Sequence, residues 1–69
     1  MADLSYTIDS HGRLFVFAPK TEDYLYEYRG SSWTAYHGLL RTWLESEPIT
    51  EEAAMRITAG VKLEVVNTI

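Results

Sequence analysis

The two histidines are the side chains best suited to acid–base chemistry near neutral pH, because an imidazole titrates between about pH 5 and 8. His11 lies two positions after Asp9, and an Asp-x-His pair can supply half of a metal site. The sequence shows no further ligand cluster around this pair and contains no cysteine. We therefore expect no metal and no cofactor, and we expect His11 to occupy a polar turn.

His37 is the second candidate, because Tyr36 and Arg41 lie close to it in sequence. Together with Tyr36 and Ser31 it could serve a small enzyme or ligand binder, in a pocket between a helix and a sheet. However, a chain of 69 residues rarely builds a cleft of several hundred Å³. The sequence therefore favours a protein that is not an enzyme and leaves the small enzyme as the alternative.

Length and hydropathy predict one small domain that spans residues 1–69. A chain of this size has a small core and a thin margin of stability. The first ten residues lack the basic and apolar regions of a secretory signal, and no stretch approaches the ~18 apolar residues of a membrane span. We expect a cytoplasmic protein, located in the host cytoplasm if a phage encodes it.

The charge pattern bears on the choice of partner. The net charge is −4 and the six basic residues are scattered singly, whereas nucleic-acid binding normally requires a basic patch. Four glutamates cluster around residues 45–52: Glu45, Glu47, Glu51 and Glu52. They could form an acidic surface for a basic protein, or the last two could simply stabilise the start of a helix.

A β-hairpin is predicted at the start of the chain. Apolar residues alternate from Leu4 to Ile8, and Asp9 and Gly12 suit the first and last positions of a tight turn. The register that follows pairs Ile8 with Leu14, Tyr6 with Val16, Leu4 with Ala18, and Asp9 with Arg13. The second strand then presents Phe15 and Phe17 on the opposite face.

The segment from Ser32 to Glu45 is predicted to be the main helix. Its large apolar residues recur at helical spacing: Trp33, Tyr36, Leu40, Trp43 and Leu44. Ser32 could cap its start, and Pro48 ends it. A second helix is predicted from a Thr50 cap to Gly60, followed by a last strand that alternates from Val61 to Val65.

With a third strand from Tyr24 to Tyr28, the element order is β-β-β-α-α-β. We expect an α+β fold with an antiparallel sheet in the spatial order 4-1-2-3. Both helices would cover one face of this sheet. The face left bare is expected to be the one that carries Phe15 and Phe17.

The register of the third strand decides what the bare face carries. If Tyr24 opposes Phe17 and Tyr26 opposes Phe15, four aromatic rings form a patch, and exposed apolar patches mark interfaces. A register different by one residue would place the tyrosines in the core instead. The predicted binding residues are Phe15, Phe17, Tyr24 and Tyr26, with Glu45 and Glu47 as acidic neighbours.

These features predict a small acidic protein-binding module. By analogy of size and composition, we expect an inhibitor or regulator from a phage or mobile element that occludes a host protein by surface contact. The partner would be another protein, with a basic one favoured by charge. Homodimerisation through the sheet face or an exposed edge strand is also expected.

Overall fold

The computed structural model describes residues 4–63, which form an α+β fold with one five-stranded antiparallel sheet and two helices. The elements are β1 (Ser5–Ile8), β2 (Leu14–Phe17), β3 (Leu25–Arg29), β4 (Ser32–Ala35), α1 (Leu40–Leu44), β5 (Glu47–Ile49) and α2 (Glu51–Thr58). The strand order across the sheet is β4-β3-β2-β1-β5. The predicted fold class is therefore confirmed.

The first hairpin has the predicted register. Ile8 lies opposite Leu14, and the pairing continues along β1 and β2. The Asp9 N–H donates to the Arg13 carbonyl at 3.0 Å, and the Gly12 N–H donates to the Asp9 carbonyl at 3.0 Å. Gly12 has a φ of +83°, a conformation that glycine adopts without a steric cost.

The predicted helix from Ser32 to Glu45 is wrong in its first part. Residues Ser32–Ala35 form β4, which pairs with β3 so that Trp33 lies opposite Tyr28. The two residues between these strands include Gly30 with a φ of +66°, and a positive φ at the first turn position matches the twist of a tight hairpin. Only Leu40–Leu44 is helical, so Ser32 begins a strand and caps no helix.

The predicted order 4-1-2-3 is wrong at the two edges of the sheet, although the central order of β1, β2 and β3 is as expected. β5 pairs with β1, with Ile49 opposite Tyr6, in the place given to the predicted last strand. Residues 61–63 form no strand, and Val65 lies outside the described residues. Pro48 is tolerated in β5 because an edge strand need not donate every N–H to a neighbour.

The two helices lie on opposite faces of the sheet, which corrects the prediction that both cover one face. Ala54 of α2 packs into the core cluster with Tyr6 and Val16. Trp43 of α1 stacks on Phe17, with 5.4 Å between ring centroids. Neighbouring residues of a strand point to opposite faces, so Val16 and Phe17 define an α2 face and an α1 face.

The second helix begins as predicted. The Thr50 hydroxyl accepts a hydrogen bond from the Ala53 N–H at 3.1 Å, which satisfies one free donor at the helix start. The helix ends at the C-cap residue Ala59, whose backbone is in the left-handed conformation. The Gly60 N–H then donates a hydrogen bond to the Met55 carbonyl at 2.8 Å. No helix within residues 4–63 is long and apolar enough to cross a lipid bilayer.

Candidate binding surface

Helix α1 is held on the sheet by few contacts. The Trp43 ring stacks on Phe17, and the Ser46 hydroxyl, just beyond the helix, is 2.7 Å from the hydroxyl of Thr7 on β1. Ser46 also donates to the Trp43 carbonyl. The Trp43 Nε1 is buried and has no hydrogen-bond partner within residues 4–63. A buried donor without a partner costs about 1–3 kcal/mol of stability, and this cost offsets part of the energy that holds α1 on the sheet.

Three leucines of this segment face solvent instead of the core. Leu39 is 74% exposed, Leu40 is 58% exposed and Leu44 is 70% exposed, and no residue of α1 is fully buried. With about 100° per residue, Leu40 and Leu44 lie roughly 40° apart and about 60–100° from Trp43. We call Leu39, Leu40 and Leu44 the α1 leucines.

The link between β4 and α1 sets the position of the helix. The Tyr36 ring packs edge-on against Phe15, with 5.1 Å between ring centroids, and its hydroxyl donates to the Leu39 carbonyl at 3.0 Å. Leu39 precedes the helix in an extended conformation and provides no side-chain cap. Tyr36 and Trp43 therefore hold α1 against the α1 face, and the α1 leucines are directed away from the core.

Two of the predicted binding residues are buried. Phe15 is fully buried and Tyr26 is 5% exposed. In the observed register Phe17 lies opposite Leu25, and Tyr26 therefore lies opposite Val16 on the α2 face. This is the alternative register, one residue from the pairing that would build the aromatic patch. The four-ring patch does not form, and the face with Phe15 and Phe17 is not bare.

The loop between β2 and β3 explains this register. The Ala18 N–H donates to the Tyr24 carbonyl at 2.7 Å, and Tyr24 has a φ of +46°. The Thr21 hydroxyl accepts a hydrogen bond from the Tyr24 N–H at 3.2 Å. Because Tyr24 completes the turn, the strand begins one residue later at Leu25, and each of its side chains changes face.

The other four predicted binding residues remain at the surface or near it. Phe17 is half-buried between Trp43 and Tyr24, whose ring centroid lies 6.3 Å from that of Phe17. Tyr24 is 53% exposed. Glu45, directly after α1, and Glu47, on β5, are also exposed. The structure thus brings Phe17 and Tyr24 together, and it places Glu45 next to the α1 leucines.

The turn of the first hairpin borders a cavity of about 210 Å³, lined by Asp9, Ser10, His11, Arg13, Thr42 and Glu45. The Asp9 carboxylate accepts hydrogen bonds from the His11 N–H at 2.9 Å, the Arg13 N–H at 2.8 Å and the Arg13 Nε at 2.6 Å. Burial raises the pKa of Asp9, but these bonds outweigh it and lower the pKa below its usual value. Asp9 thus stabilises the turn, and within residues 4–63 no group of three ligands could hold a metal ion.

A larger cavity of about 540 Å³ lies beside β4, lined by Ser31, Ser32, Trp33, Gly60, Val61 and Lys62. The Trp33 Nε1 donates to the Val61 carbonyl at 3.1 Å, which joins β4 to the end of α2. His37 is exposed and lines neither of these two cavities. Neither of these two cavities is lined by both Ser31 and His37.

Comparison with models of known protein families, with curated proteins and with solved structures found no match for this chain. Its function is therefore argued from its surface alone. The most distinctive part of that surface, the α1 leucines, was not identified from the sequence, because the spacing of Leu40 and Leu44 assigned them to the core. Three leucines within six positions were the available signal.

Proposed function

We propose that this chain is a small protein-binding module that acts by surface contact, without catalysis, and that the α1 leucines form its binding surface. The observation that carries the proposal is the exposure of Leu39, Leu40 and Leu44, at 74%, 58% and 70%. A contiguous exposed apolar patch on a small soluble domain is typical of a protein interaction site. Leu40 and Leu44, four positions apart on one short helix, can anchor such a contact.

The residues around the patch support the same proposal. Tyr24 and Trp43 both contact the Phe17 ring, so an exposed tyrosine extends the apolar surface beyond the helix. Tyrosine and tryptophan are enriched in protein interfaces. Glu45 and Glu47 are exposed at the end of α1 and on β5, and they give the rim a negative charge that favours a basic partner.

The finer proposal is an inhibitor or regulator of phage or mobile-element origin that occludes a protein in the host cytoplasm. Its support is the small size, the net charge of −4 and the absence of cysteine. The same charge disfavours nucleic acid as the partner. The alternative, an enzyme or ligand binder that uses His37, gains no support from a histidine that is exposed and lines neither cavity.

The test compares the wild type with L40S/L44S, which removes two apolar side chains from the patch. Ile57→Ser is the matched control, because Ile57 is 48% exposed on α2. Tagged chains are used for affinity capture from cells that also express a second, differently tagged copy, and retained proteins are identified by mass spectrometry. All three chains should show the same circular dichroism, since exposed substitutions usually change stability by less than about 0.5 kcal/mol.

We expect the wild type and Ile57→Ser to retain at least one specific protein, either the second copy or another protein, which L40S/L44S loses. If all three chains retain the same proteins, the α1 leucines are not the binding surface. If none retains a protein above the level of a tag-only control, the proposed function is wrong.

A further inference from the structure

We propose that the partner on the α1 leucines is a second copy of this chain, with the two α1 helices packed antiparallel around a two-fold axis. This inference rests on the proposed function, because it identifies the partner of the same surface. In a two-fold interface the same patch is used by both copies, so the patch must complement itself in shape and charge. Two rows of side chains on α1 meet this requirement.

The first row is apolar. Leu40 and Leu44 are four positions apart, and residues at this spacing form one ridge along a helix. In an antiparallel pair, Leu40 of one copy lies beside Leu44 of the other, and the reverse contact forms by symmetry. Both side chains are more than half exposed in the single chain, so their burial in the pair removes apolar surface from water.

The second row is charged, and it follows the first by one position. Arg41 and Glu45 are also four positions apart and are exposed. A two-fold axis perpendicular to the helices places Arg41 of one copy on the same flank as Glu45 of the other, twice. In a parallel two-fold pair, the rows of the two copies would lie on opposite flanks of the interface, and the contacts between Arg41 and Glu45 would not form. The charges therefore favour the antiparallel pair of identical chains.

These two charges are available for such contacts. Within residues 4–63, neither Arg41 nor Glu45 forms an ion pair, whereas Arg13 is paired with Asp9. On α2, Arg56 is paired with Glu52 at the same four-residue spacing. The order on α1 is reversed, with the arginine before the glutamate, and this order is the weaker one for a pair within a helix. Arg13 lines the same cavity as Glu45, but its Nε is bonded to Asp9 at 2.6 Å.

The size of the patch sets the strength of the dimer. A stable specific interface buries about 800 Å² on each partner, and three leucines with two flanking charges supply less than that. We therefore expect a weak dimer whose population depends on concentration. The same argument makes the dimer sensitive to the flanking charges, because little other surface holds the two copies together.

The test uses Arg41→Glu and Glu45→Arg, separately and mixed in equal amounts. Each substitution alone places like charges on the flank of a homodimer, whereas the mixed pair restores opposite charges at each contact. The mixed pair also carries the same total charge as two wild-type chains, each at −4. Arg29→Glu, at the exposed end of β3, is the control for a change of net charge. Sedimentation equilibrium over a concentration series measures the dissociation constant.

We expect the wild type and Arg29→Glu to dimerise, each single α1 variant to bind itself about tenfold or more weakly, and the mixture to regain wild-type affinity. The inference is wrong if the wild type stays monomeric at all concentrations, as it would if another part of the chain or a different protein covered the leucines. It is also wrong if the dimer is insensitive to both reversals. Capture of a different protein that L40S/L44S loses would then leave the proposed function standing.

Discussion

The Trp43 ring stacks on the Phe17 ring, with 5.4 Å between their centroids and an angle of 29° between their planes. This contact places α1 on the face of the sheet opposite α2. Leu40 and Leu44 lie about 60° and 100° around the helix from Trp43, at the side of this contact, and both are more than half exposed. Together with the contacts of Tyr36 and Ser46, this aromatic contact covers the α1 face and positions the exposed leucines.

The first prediction concerns Phe15 and Phe17, which the structure places under Tyr36 and Trp43. Phe15→Ser should lower the free energy of unfolding by at least about 3–5 kcal/mol, the usual cost of truncating a buried phenylalanine, because Phe15 is fully buried. Phe17→Ser should cost less, since Phe17 is only half-buried. Urea unfolding followed by circular dichroism, at one chain concentration, measures both changes.

Trp43→Phe is the conservative control for Phe15→Ser and Phe17→Ser, because it changes the same aromatic face without removing an aromatic side chain. It keeps an aromatic ring against Phe17 and removes the buried Nε1 that lacks a partner within residues 4–63, so we expect a change below about 1.5 kcal/mol. A Phe15→Ser variant that unfolds like the wild type but no longer associates would contradict the structure. It would return Phe15 to the exposed interface that the sequence predicts.

Local signals were sufficient for the first hairpin and for α2. Asp9 and Gly12 flank a turn whose geometry is closed by their own backbone bonds, and Thr50 caps α2 through a bond to a residue three positions away. These contacts involve near neighbours in the chain. Their energies therefore differ little between the isolated segment and the folded protein, and sequence patterns predict them well.

The secondary structure of the segment after Gly30 is decided by a competition between forming a helix and pairing with β3 as a strand. Trp33 and Tyr36 lie at helical spacing, but aromatic and β-branched residues such as Trp33 and Thr34 also suit a strand. A glycine–serine turn after β3 makes pairing with that strand easy, and such a turn was the available sequence signal. Once β4 forms, Ser32–Ala35 are no longer available to the helix, and only Leu40–Leu44 is helical.

The α1 leucines could not be predicted for a related reason. Their exposure depends on which way α1 is turned, and that depends on Trp43 meeting Phe17 across 26 positions of sequence. The register of β3 depends in turn on the left-handed conformation of Tyr24, which a non-glycine residue adopts only when its surroundings hold it there. Neither the contact between Trp43 and Phe17 nor the left-handed backbone of Tyr24 leaves a pattern in the sequence.

The second prediction concerns how the contribution of Asp9 to the free energy of unfolding changes with pH. The Asp9 side chain is 6% exposed. Burial raises its pKa, but the bonds from Arg13 and His11 outweigh burial and hold the pKa below its unfolded value of about 3.9. The folded state then binds fewer protons than the unfolded state near this pH. The stabilisation is present above about pH 4 and is lost as the pH falls through the lower, folded pKa.

We therefore expect Asp9→Asn to be less stable than the wild type at pH 7, with a difference that shrinks as the pH is lowered below about 4. Urea unfolding at a series of pH values measures it. Asp23→Asn, which removes an exposed carboxylate in the β2–β3 loop, is the control for a change of net charge. An Asp9→Asn difference that is the same at all pH values would show that Asp9 acts only through its shape and neutral hydrogen bonds.

The third prediction concerns Gly38, which lies in the link between β4 and α1. A Cβ atom at this position would lie 2.5 Å from the Tyr36 hydroxyl oxygen and 2.6 Å from the adjacent ring carbon. The ring cannot move without cost, because it packs edge-on against Phe15 and its hydroxyl donates to the Leu39 carbonyl at 3.0 Å. Gly38→Ala should therefore lower the free energy of unfolding by about 1–3 kcal/mol.

A double-mutant cycle with Tyr36→Ala isolates this contact. Without the Tyr36 ring, Gly38→Ala should be neutral or stabilising by about 0.4–1 kcal/mol, because alanine reduces the freedom of the unfolded chain. The two substitutions should thus show a coupling of about 1–4 kcal/mol in urea unfolding. A Gly38→Ala variant that is as stable as the wild type, with no coupling to Tyr36, would mean that Tyr36 does not hold the link to α1. The orientation of the α1 leucines would then depend on Trp43 and Ser46 alone.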